Sequence, residues 1–376
     1  MLNILRQHFN GLKPSVYSSL AMAFAGVGDA FLYPFLPLYA PAIGIPVVWV
    51  GVLLSVNRFA RVFLSIVVIK GFKALGVRNV TIAASLLAIC STIGYGLNAG
   101  IIVWLLSRII WGLCFSVLRT SSATYAINSA RKGFALGVSN GIYETGPLLT
   151  LSAAPIIVMY FPVENAFYLL SIISSLSLFF ALRLPHLEYV PPKDESKTLC
   201  QPSIINILTF VTSILEGVMI IAIGFFVQKH YSLPDLGAAS IAAGFLIFRR
   251  ACLVIISPIA GAWSDRLGVK RMIVVSILCM STGFILVIAN VLLAGLIIIF
   301  GFNAVANLVL PVAALNRAPD QVKTITANSV YKDAGTAAGT LAGGFLVANL
   351  YVNEFLLVIA AIQVFLVLYW AKTVKL

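Results

Sequence analysis

The sequence predicts an all-α integral membrane protein with twelve transmembrane helices in two pseudo-symmetric six-helix halves. The prediction depends on the composition, on the spacing of apolar stretches, and on a repeat that relates the two halves. Of the 376 residues, 61% are hydrophobic and only 10% are charged, whereas a soluble domain has about 45–50% apolar and about 25% charged residues. So little polar surface cannot cover a folded chain in water, which excludes an ordinary soluble enzyme.

Twelve stretches are apolar and long enough to cross a bilayer, which takes about 20 mostly apolar residues. Backbone groups in lipid must be satisfied within their own segment, and the alternation typical of barrel strands is absent, so each stretch is expected to be a helix. The spans are predicted at residues 15–41, 47–69, 78–98, 101–124, 133–160, 164–184, 203–228, 236–262, 270–290, 292–315, 324–348 and 351–371.

Lysine and arginine are distributed unevenly between the two sides of the predicted spans. Seventeen of the 25 basic residues lie on one set of flanks, and only Lys229 lies on the other. Because basic residues stay on the cytoplasmic side, both termini are predicted to be cytoplasmic, in a plasma membrane of the bacterial inner-membrane type. This asymmetry accounts for the net charge of +13 without a nucleic-acid partner. The seventeen are Arg6, Lys13, Lys70, Lys73, Arg78, Arg131, Lys132, Arg183, Lys193, Lys197, Arg266, Lys270, Arg271, Arg317, Lys323, Lys372 and Lys375.

The longest polar connection lies between the sixth and seventh spans. Residues 185–202 carry four prolines and charges of both signs, a composition typical of a linker. The predicted organisation is therefore an N-terminal half at 1–184, a cytoplasmic linker at 185–202 and a C-terminal half at 203–376.

An internal repeat relates these two halves. Shifting the first half by 187 to 192 positions aligns charged and turn-forming residues with similar residues in the second half. Unrelated apolar helices would not place charges so consistently, so the repeat indicates a duplicated six-helix unit. The aligned pairs are Gly76 with Gly268, Arg58 with Arg250, Asn140 with Asn328, Tyr143 with Tyr331, and Asp29 with Glu216.

The connection between spans eight and nine carries the most specific motif. It reads G-x-x-x-D-R-x-G-x-K-R and resembles the cytoplasmic loop signature of the major facilitator superfamily of transporters. The resemblance implies a gating role for this loop. The corresponding loop between spans two and three has lost most of the signature, because Lys73 stands in the place of the aspartate. The motif residues are Gly261, Asp265, Arg266, Gly268, Lys270 and Arg271.

Three further segments are similar to motifs of that family. Arg108 and Gly112 match the R-x-x-x-G pattern of span four. Residues 137–147, GVSNGIYETGP, resemble the glycine-rich motif of span five that is associated with exporters and antiporters. Asp29, followed by YPFLP at 33–37, resembles span one of efflux members. The resemblance covers nearly the whole chain and implies the major facilitator fold with an efflux-type function.

Charged residues inside the predicted spans are the candidate functional residues. A charge at the bilayer centre costs at least about 2.5 kcal/mol, so such residues are expected to line a cavity or to pair with one another. The candidates for proton coupling are Asp29, Glu144, Glu216 and Asp333. The candidates for substrate binding are Arg58, Arg108, Arg250, Asn57, Tyr143, Asn303, Asn307, Tyr331 and Lys332.

Each candidate has a structural alternative. Asp29 with Arg58 or Arg108 could be an ion pair that fixes helix packing, and Asn303 and Asn307 could join helices by hydrogen bonds. Arg249 and Arg250 lie about 100° apart around a helix, so they cannot both face one cavity equally. The repeat alignment favours Arg250 for the cavity.

Motifs of soluble catalysis are absent from the sequence. It contains no G-x-x-x-x-G-K-S/T phosphate loop, no nucleophile elbow and no cluster with metal-ligand spacing. We therefore expect no enzyme activity, no cofactor and no ATP-driven step in this chain.

The expected function is secondary active export of a small organic solute, a carboxylate-bearing or zwitterionic metabolite or a drug. One half would rock against the other around a midplane site in alternating access, and proton entry would drive export by antiport. The expected partners are the solute, the proton and membrane lipid, with a monomeric protein. Proton-coupled uptake of an organic anion is the alternative, and a non-transporting membrane sensor is a remote one.

Overall fold

The structure is a computed structural model that describes residues 2–40, 43–46, 48–191, 202–231, 235–315 and 318–373. Within these residues the chain forms twelve α-helices and no β-strand. The helices are α1 (Leu2–Ala25), α2 (Val27–Tyr39), α3 (Val48–Gly96), α4 (Ile101–Ile127), α5 (Lys132–Tyr160), α6 (Val163–Leu182), α7 (Ile204–Tyr231), α8 (Asp235–Leu267), α9 (Val269–Ile288), α10 (Leu292–Leu315), α11 (Gln321–Ala348) and α12 (Val352–Thr373).

These helices confirm the predicted all-α fold with twelve spans. Helices α1 and α2 are bent by 44° at their junction and together make the first span. Helix α3 has 49 residues and a break at Gly76, so it supplies the second and third spans. By length and composition, nine of the described helices could cross a membrane, and the bent pair makes ten. Helix α11 is long enough but carries Lys332, Asp333 and many small residues, which lower its hydropathy.

Two glycines that the repeat aligns have the same backbone conformation. Gly76 has φ 76° and ψ 160°, and Gly268 has φ 86° and ψ 133°. This region of the backbone map is accessible almost only to glycine, because any side chain would clash there. The glycine in both loops is therefore required by the turn that separates two helices, in the decayed loop as well as in the intact one.

The helices form two compact units. Unit one comprises Met1–Lys197 and Pro319–Lys323. Aromatic residues fill one of its cores, where the Phe167 ring lies 5.4 Å from that of Phe31 and 5.8 Å from that of Trp104. Unit two comprises Thr198–Ala318 and Thr324–Leu376. In it α7 packs on α8, α10 and α12, and α9 packs on α10 and α12.

The first part of the predicted linker packs on unit one. The backbone NH of Val77 donates to the carbonyl of Leu187 over 2.9 Å, and the Tyr125 hydroxyl donates to the carbonyl of Pro185 over 2.9 Å. Tyr189 donates to the carboxylate of Asp320, which precedes α11. Residues 192–201 of the predicted linker lie outside the described residues, as do Arg317 and Lys375; the predicted cytoplasmic residues Lys193 and Lys197, and Cys200, fall in the first of these gaps.

Candidate functional site

An ion pair between α2 and α4 forms the centre of unit one. Asp29 on α2 accepts a hydrogen bond from Nη1 of Arg108 on α4. Nδ2 of Asn57 on α3 lies 3.4 Å from the same carboxylate oxygen. The Arg108 side chain is 1% exposed and that of Asp29 is 14% exposed. The structure thus brings three of the predicted site residues together and pairs Asp29 with Arg108.

Backbone carbonyls of α3 hold Arg108 in place. Its Nε donates to the carbonyl of Leu53 over 2.6 Å, and its Nη2 lies 3.4 Å from the carbonyl of Leu54. Gly112 permits this approach, because a Cβ at that position would lie 2.8 Å from the carbonyl oxygen of Asn57. The R-x-x-x-G pattern therefore has a physical basis: the glycine lets two helices meet, and the arginine bridges them one turn away.

The centre of unit two has the same components on different helices. Glu216 on α7 accepts a hydrogen bond from Nη2 of Arg249 on α8. Its other oxygen lies 3.4 Å from the amide nitrogens of both Asn303 and Asn307 on α10. Asn307 also donates to Oδ1 of Asn303 over 2.8 Å. Lys332 on α11 lies within electrostatic reach of Glu216, so positive and amide groups from three helices surround one carboxylate.

Close packing of α11 on α7 positions Lys332. A Cβ at Gly339 would lie 2.2 Å from the carbonyl oxygen of Ile214, and one at Gly335 would lie 2.4 Å from that of Phe210. Small residues at this spacing let two helix backbones approach closely. The glycines of α11 therefore bring its charged turn beside α7, which carries Glu216.

Arginine and asparagine have swapped repeat positions between the two centres. In unit one, the second span supplies Asn57 and the fourth span supplies Arg108. In unit two, the corresponding eighth span supplies Arg249 and the tenth span supplies Asn303. The repeat shift that aligns Gly76 with Gly268 takes position 57 to position 249. The carboxylate and its two kinds of partner are thus retained, while their positions in the repeat differ.

Arg249 pairs with Glu216, although the sequence favoured its neighbour for the cavity. Arg249 is 8% exposed, and Arg250 is half-buried with polar or electrostatic contacts of its own. Glu144 and Asp333 are buried and also take part in further contacts. The remaining predicted residues with such contacts are half-buried: Arg58, Tyr143, Tyr331 and Lys332.

The residues of the predicted gating loop lie in the last two turns of α8, at Gly268 and in the first turn of α9, so the connection between the two helices is a single glycine. Gly261 is buried, and its carbonyl accepts a hydrogen bond from Ser264 over 2.9 Å. Asp265 lies in the last turn of α8, exposed but with contacts. Lys270 is half-buried. The two exposed arginines of the motif are Arg266 and Arg271.

A cluster of buried hydroxyls joins three helices of unit one, and sequence reasoning did not single it out. Ser19 on α1 lies 2.8 Å from Ser122 on α4 and 2.7 Å from Ser139 on α5, measured between Oγ atoms. All three residues are at most 1% exposed. Serine is common in apolar spans, so the sequence offered one signal for this cluster: Ser139 lies in the span-five motif.

Unit two contains a comparable polar junction between α7 and α11. Nδ2 of Asn328 donates to Oδ1 of Asn206 over 3.1 Å and lies 2.9 Å from Oγ1 of Thr209. The repeat aligned Asn328 with Asn140, but its partners could not be derived from one sequence. The described residues contain no cluster of metal-ligating side chains.

Comparisons with known proteins agree with this architecture. The family model described as Major Facilitator Superfamily matches residues 18–204. No curated protein sequence matches significantly. The human organic anion transporter MFSD10 (TETRAN) has a similar structure, with 16% identity, a TM-score of 0.71, and coverage of 96% of this chain and 99% of that one.

Two further solved structures share the fold over nearly their full length. A bacterial homologue of the iron transporter ferroportin, in an outward-facing state, has 14% identity, a TM-score of 0.72, and coverage of 96% of this chain and 99% of that one. The proton:xylose symporter XylE, bound to 6-bromo-6-deoxy-D-glucose, has 13% identity, a TM-score of 0.74, and coverage of 98% and 96% respectively.

These matches indicate a transporter of small molecules rather than an enzyme, and they do not distinguish among organic anions, metal ions and sugars as substrates. The family model, the twelve helices and the shared architecture agree on one assignment. The chain is a multi-pass membrane protein that belongs to the major facilitator superfamily of transporters.

Proposed function

We propose that this protein is a secondary transporter that exports a small zwitterionic or carboxylate-bearing solute in exchange for protons. The observation that carries the proposal is the presence, in each unit, of a membrane-embedded carboxylate beside an arginine: Asp29 with Arg108, and Glu216 with Arg249. Such pairs are costly in a membrane, so they are retained where they bind a charged solute or exchange a proton.

Proton coupling follows from the chemistry of a carboxylate with a releasable partner. An antiporter requires that solute and proton exclude each other. A carboxylate meets this requirement when the ammonium group of a zwitterion takes the place of the proton. The Asp29 side chain is 14% exposed and that of its partner Arg108 is 1% exposed. Asp29 is therefore well placed to accept a proton while Arg108 stays beside it. Glu144, Glu216 and Asp333 are further candidates.

The proposed direction rests on the resemblance of the span-five motif to exporters. Gly146 in this motif lets α5 touch α1, because a Cβ there would lie 2.1 Å from the carbonyl oxygen of Ala23. A bulkier residue would separate the two helices. The motif thus has a packing role that suits helices that slide on each other.

Uptake of an organic anion together with a proton is the second candidate. It is favoured by the surroundings of Glu216, whose partners Arg249, Asn303 and Asn307 could all bind an anion. Protonation of Glu216 would free them, so anion and proton would bind together and move in the same direction.

We further propose an inner-membrane monomer with cytoplasmic termini, and halves bounded at 1–184 and 203–376 around the 185–202 linker. The gating role of the loop residues Gly261 to Arg271 belongs to the same proposal.

Solute-driven proton flux in proteoliposomes tests the function. The vesicles enclose a pH-sensitive dye, and zwitterionic and anionic metabolites are added one at a time. Antiport predicts that the added solute enters as protons leave, which makes the lumen more alkaline, whereas symport predicts that the lumen becomes more acidic. Absence of proton movement with every transported solute would overturn the coupling.

A further inference from the structure

The two arginines of the paired centres differ in how they are held. Arg108 is fixed by backbone carbonyls of α3 as well as by Asp29, and its side chain is 1% exposed. Arg249 has a side chain that is 10% exposed, and the hydrogen bond recorded for its guanidinium in the described residues goes to Glu216. A backbone carbonyl cannot rotate away, but a side-chain carboxylate can.

The groups around Glu216 together suit an anion. Arg249 offers a charged donor, and the amides of Asn303 and Asn307 each point one nitrogen at the same carboxylate oxygen from 3.4 Å. Arginine and amide NH groups are the donors that recognise carboxylates in proteins. In this structure the anion bound by these donors is the carboxylate of Glu216, a residue of the same chain.

We infer that Arg249, Asn303 and Asn307 form the receptor for the carboxylate group of the solute, and that Glu216 is the internal anion that the solute displaces. The inference rests on the proposed carboxylate-bearing solute and assigns that group to a site in unit two. Arg108 remains a positioning residue, because its backbone partners prevent it from exchanging counter-ions.

The displacement depends on the charge of Glu216 and of the groups that face it. The charged groups that face Glu216 are Arg249 from α8 and Lys332 from α11, and α10 contributes the two neutral amides. From α12, the neutral Gln363 bonds to Thr212 on α7. Removing the charge of Glu216 by substitution therefore leaves the cationic and amide groups of this set open to a free carboxylate.

Acetate serves as the probe of this site. The thermal unfolding of the full chain in detergent is measured at neutral pH in sodium acetate and in sodium chloride of equal ionic strength. We expect acetate to leave the Tm of wild type unchanged, because Glu216 occupies the site. In Glu216→Gln acetate should raise the Tm by about 2–4 °C. Asp29→Asn, the matched change in unit one, should start from a lower Tm than wild type but, like wild type, should show no shift with acetate.

The inference is overturned if Glu216→Gln gains no acetate response at neutral pH, or if Glu216→Gln with Arg249→Gln retains it. If Glu216→Gln does not fold, Glu216→Asp decides, because a shorter carboxylate holds Arg249 less well and should permit a larger acetate response than wild type at neutral pH. An equal response would contradict the inference. These measurements do not involve transport, so a positive acetate result without solute-driven proton flux would refute the coupling alone.

Discussion

Neutralising one member of the Asp29–Arg108 pair should destabilise unit one far more than neutralising both. Asp29→Asn leaves a buried guanidinium without its counter-charge, and Arg108→Gln leaves the carboxylate with the 3.4 Å contact from Asn57 as its remaining side-chain hydrogen bond among the described residues. Breaking a buried pair in this way costs about 3–5 kcal/mol. With Asn and Gln at both positions no charge is buried, and the loss should fall to about 1 kcal/mol, the value of the lost hydrogen bonds.

Thermal unfolding in detergent measures this cycle. At about 2–4 °C per kcal/mol, each single variant should lose roughly 10 °C, and the double variant should recover most of it. Arg119→Gln on the same helix is the matched control, because its guanidinium lies 5.7 Å from the Phe115 ring, a cation–π contact worth about 0.5–1 kcal/mol. Additive losses in the double variant would refute the claim that Asp29 and Arg108 stabilise each other.

Three other predictions concern packing, gating and orientation. Gly146→Ala should destabilise the protein by about 1–3 kcal/mol through overpacking and so lower its Tm. Gly344→Ala should leave the Tm unchanged, because nothing lies within 4 Å of a Cβ at that position. Equal Tm values for the two variants would contradict the close contact of α5 with α1. Asp265→Asn should slow solute exchange in proteoliposomes without reducing membrane insertion, and Lys73→Ala in the other loop should be mild; equal damage would contradict the asymmetry of the loops. An impermeant thiol reagent should label Cys200 in inside-out vesicles and not in intact cells; labelling of intact cells would reverse the orientation.

The sequence was sufficient to predict the helices, because each span is an apolar stretch of sufficient length that ends at turn-forming residues. Gly76 and Gly268 illustrate this: the repeat aligned them, and both have the positive φ that only glycine adopts readily. The bend at Gly26 between α1 and α2 was not predicted, since an apolar stretch reads the same whether it is straight or bent.

Pairing in the candidate site was predicted only in part. Asp29 with Arg108 was one of two pairings that the sequence left open, and the backbone contacts of Arg108 decide between them. Arg249 and Arg250 are adjacent, and the choice between them depends on the rotation of α8, which the repeat alignment does not determine. The swap of arginine and asparagine between corresponding spans could not be predicted, because the repeat alignment was built by matching similar residues.

The central claim is that a membrane-embedded carboxylate couples solute export to proton entry. It is tested most directly by comparing transport driven by a pH gradient with solute exchange at equal pH, in proteoliposomes of wild type, Asp29→Asn, and Asp29→Asn with Arg108→Gln. We predict that the pH gradient accelerates transport by wild type only, while every variant that folds continues to exchange solute. Normal acceleration by the pH gradient in a folded Asp29→Asn protein would contradict the assignment of the coupling step to this carboxylate.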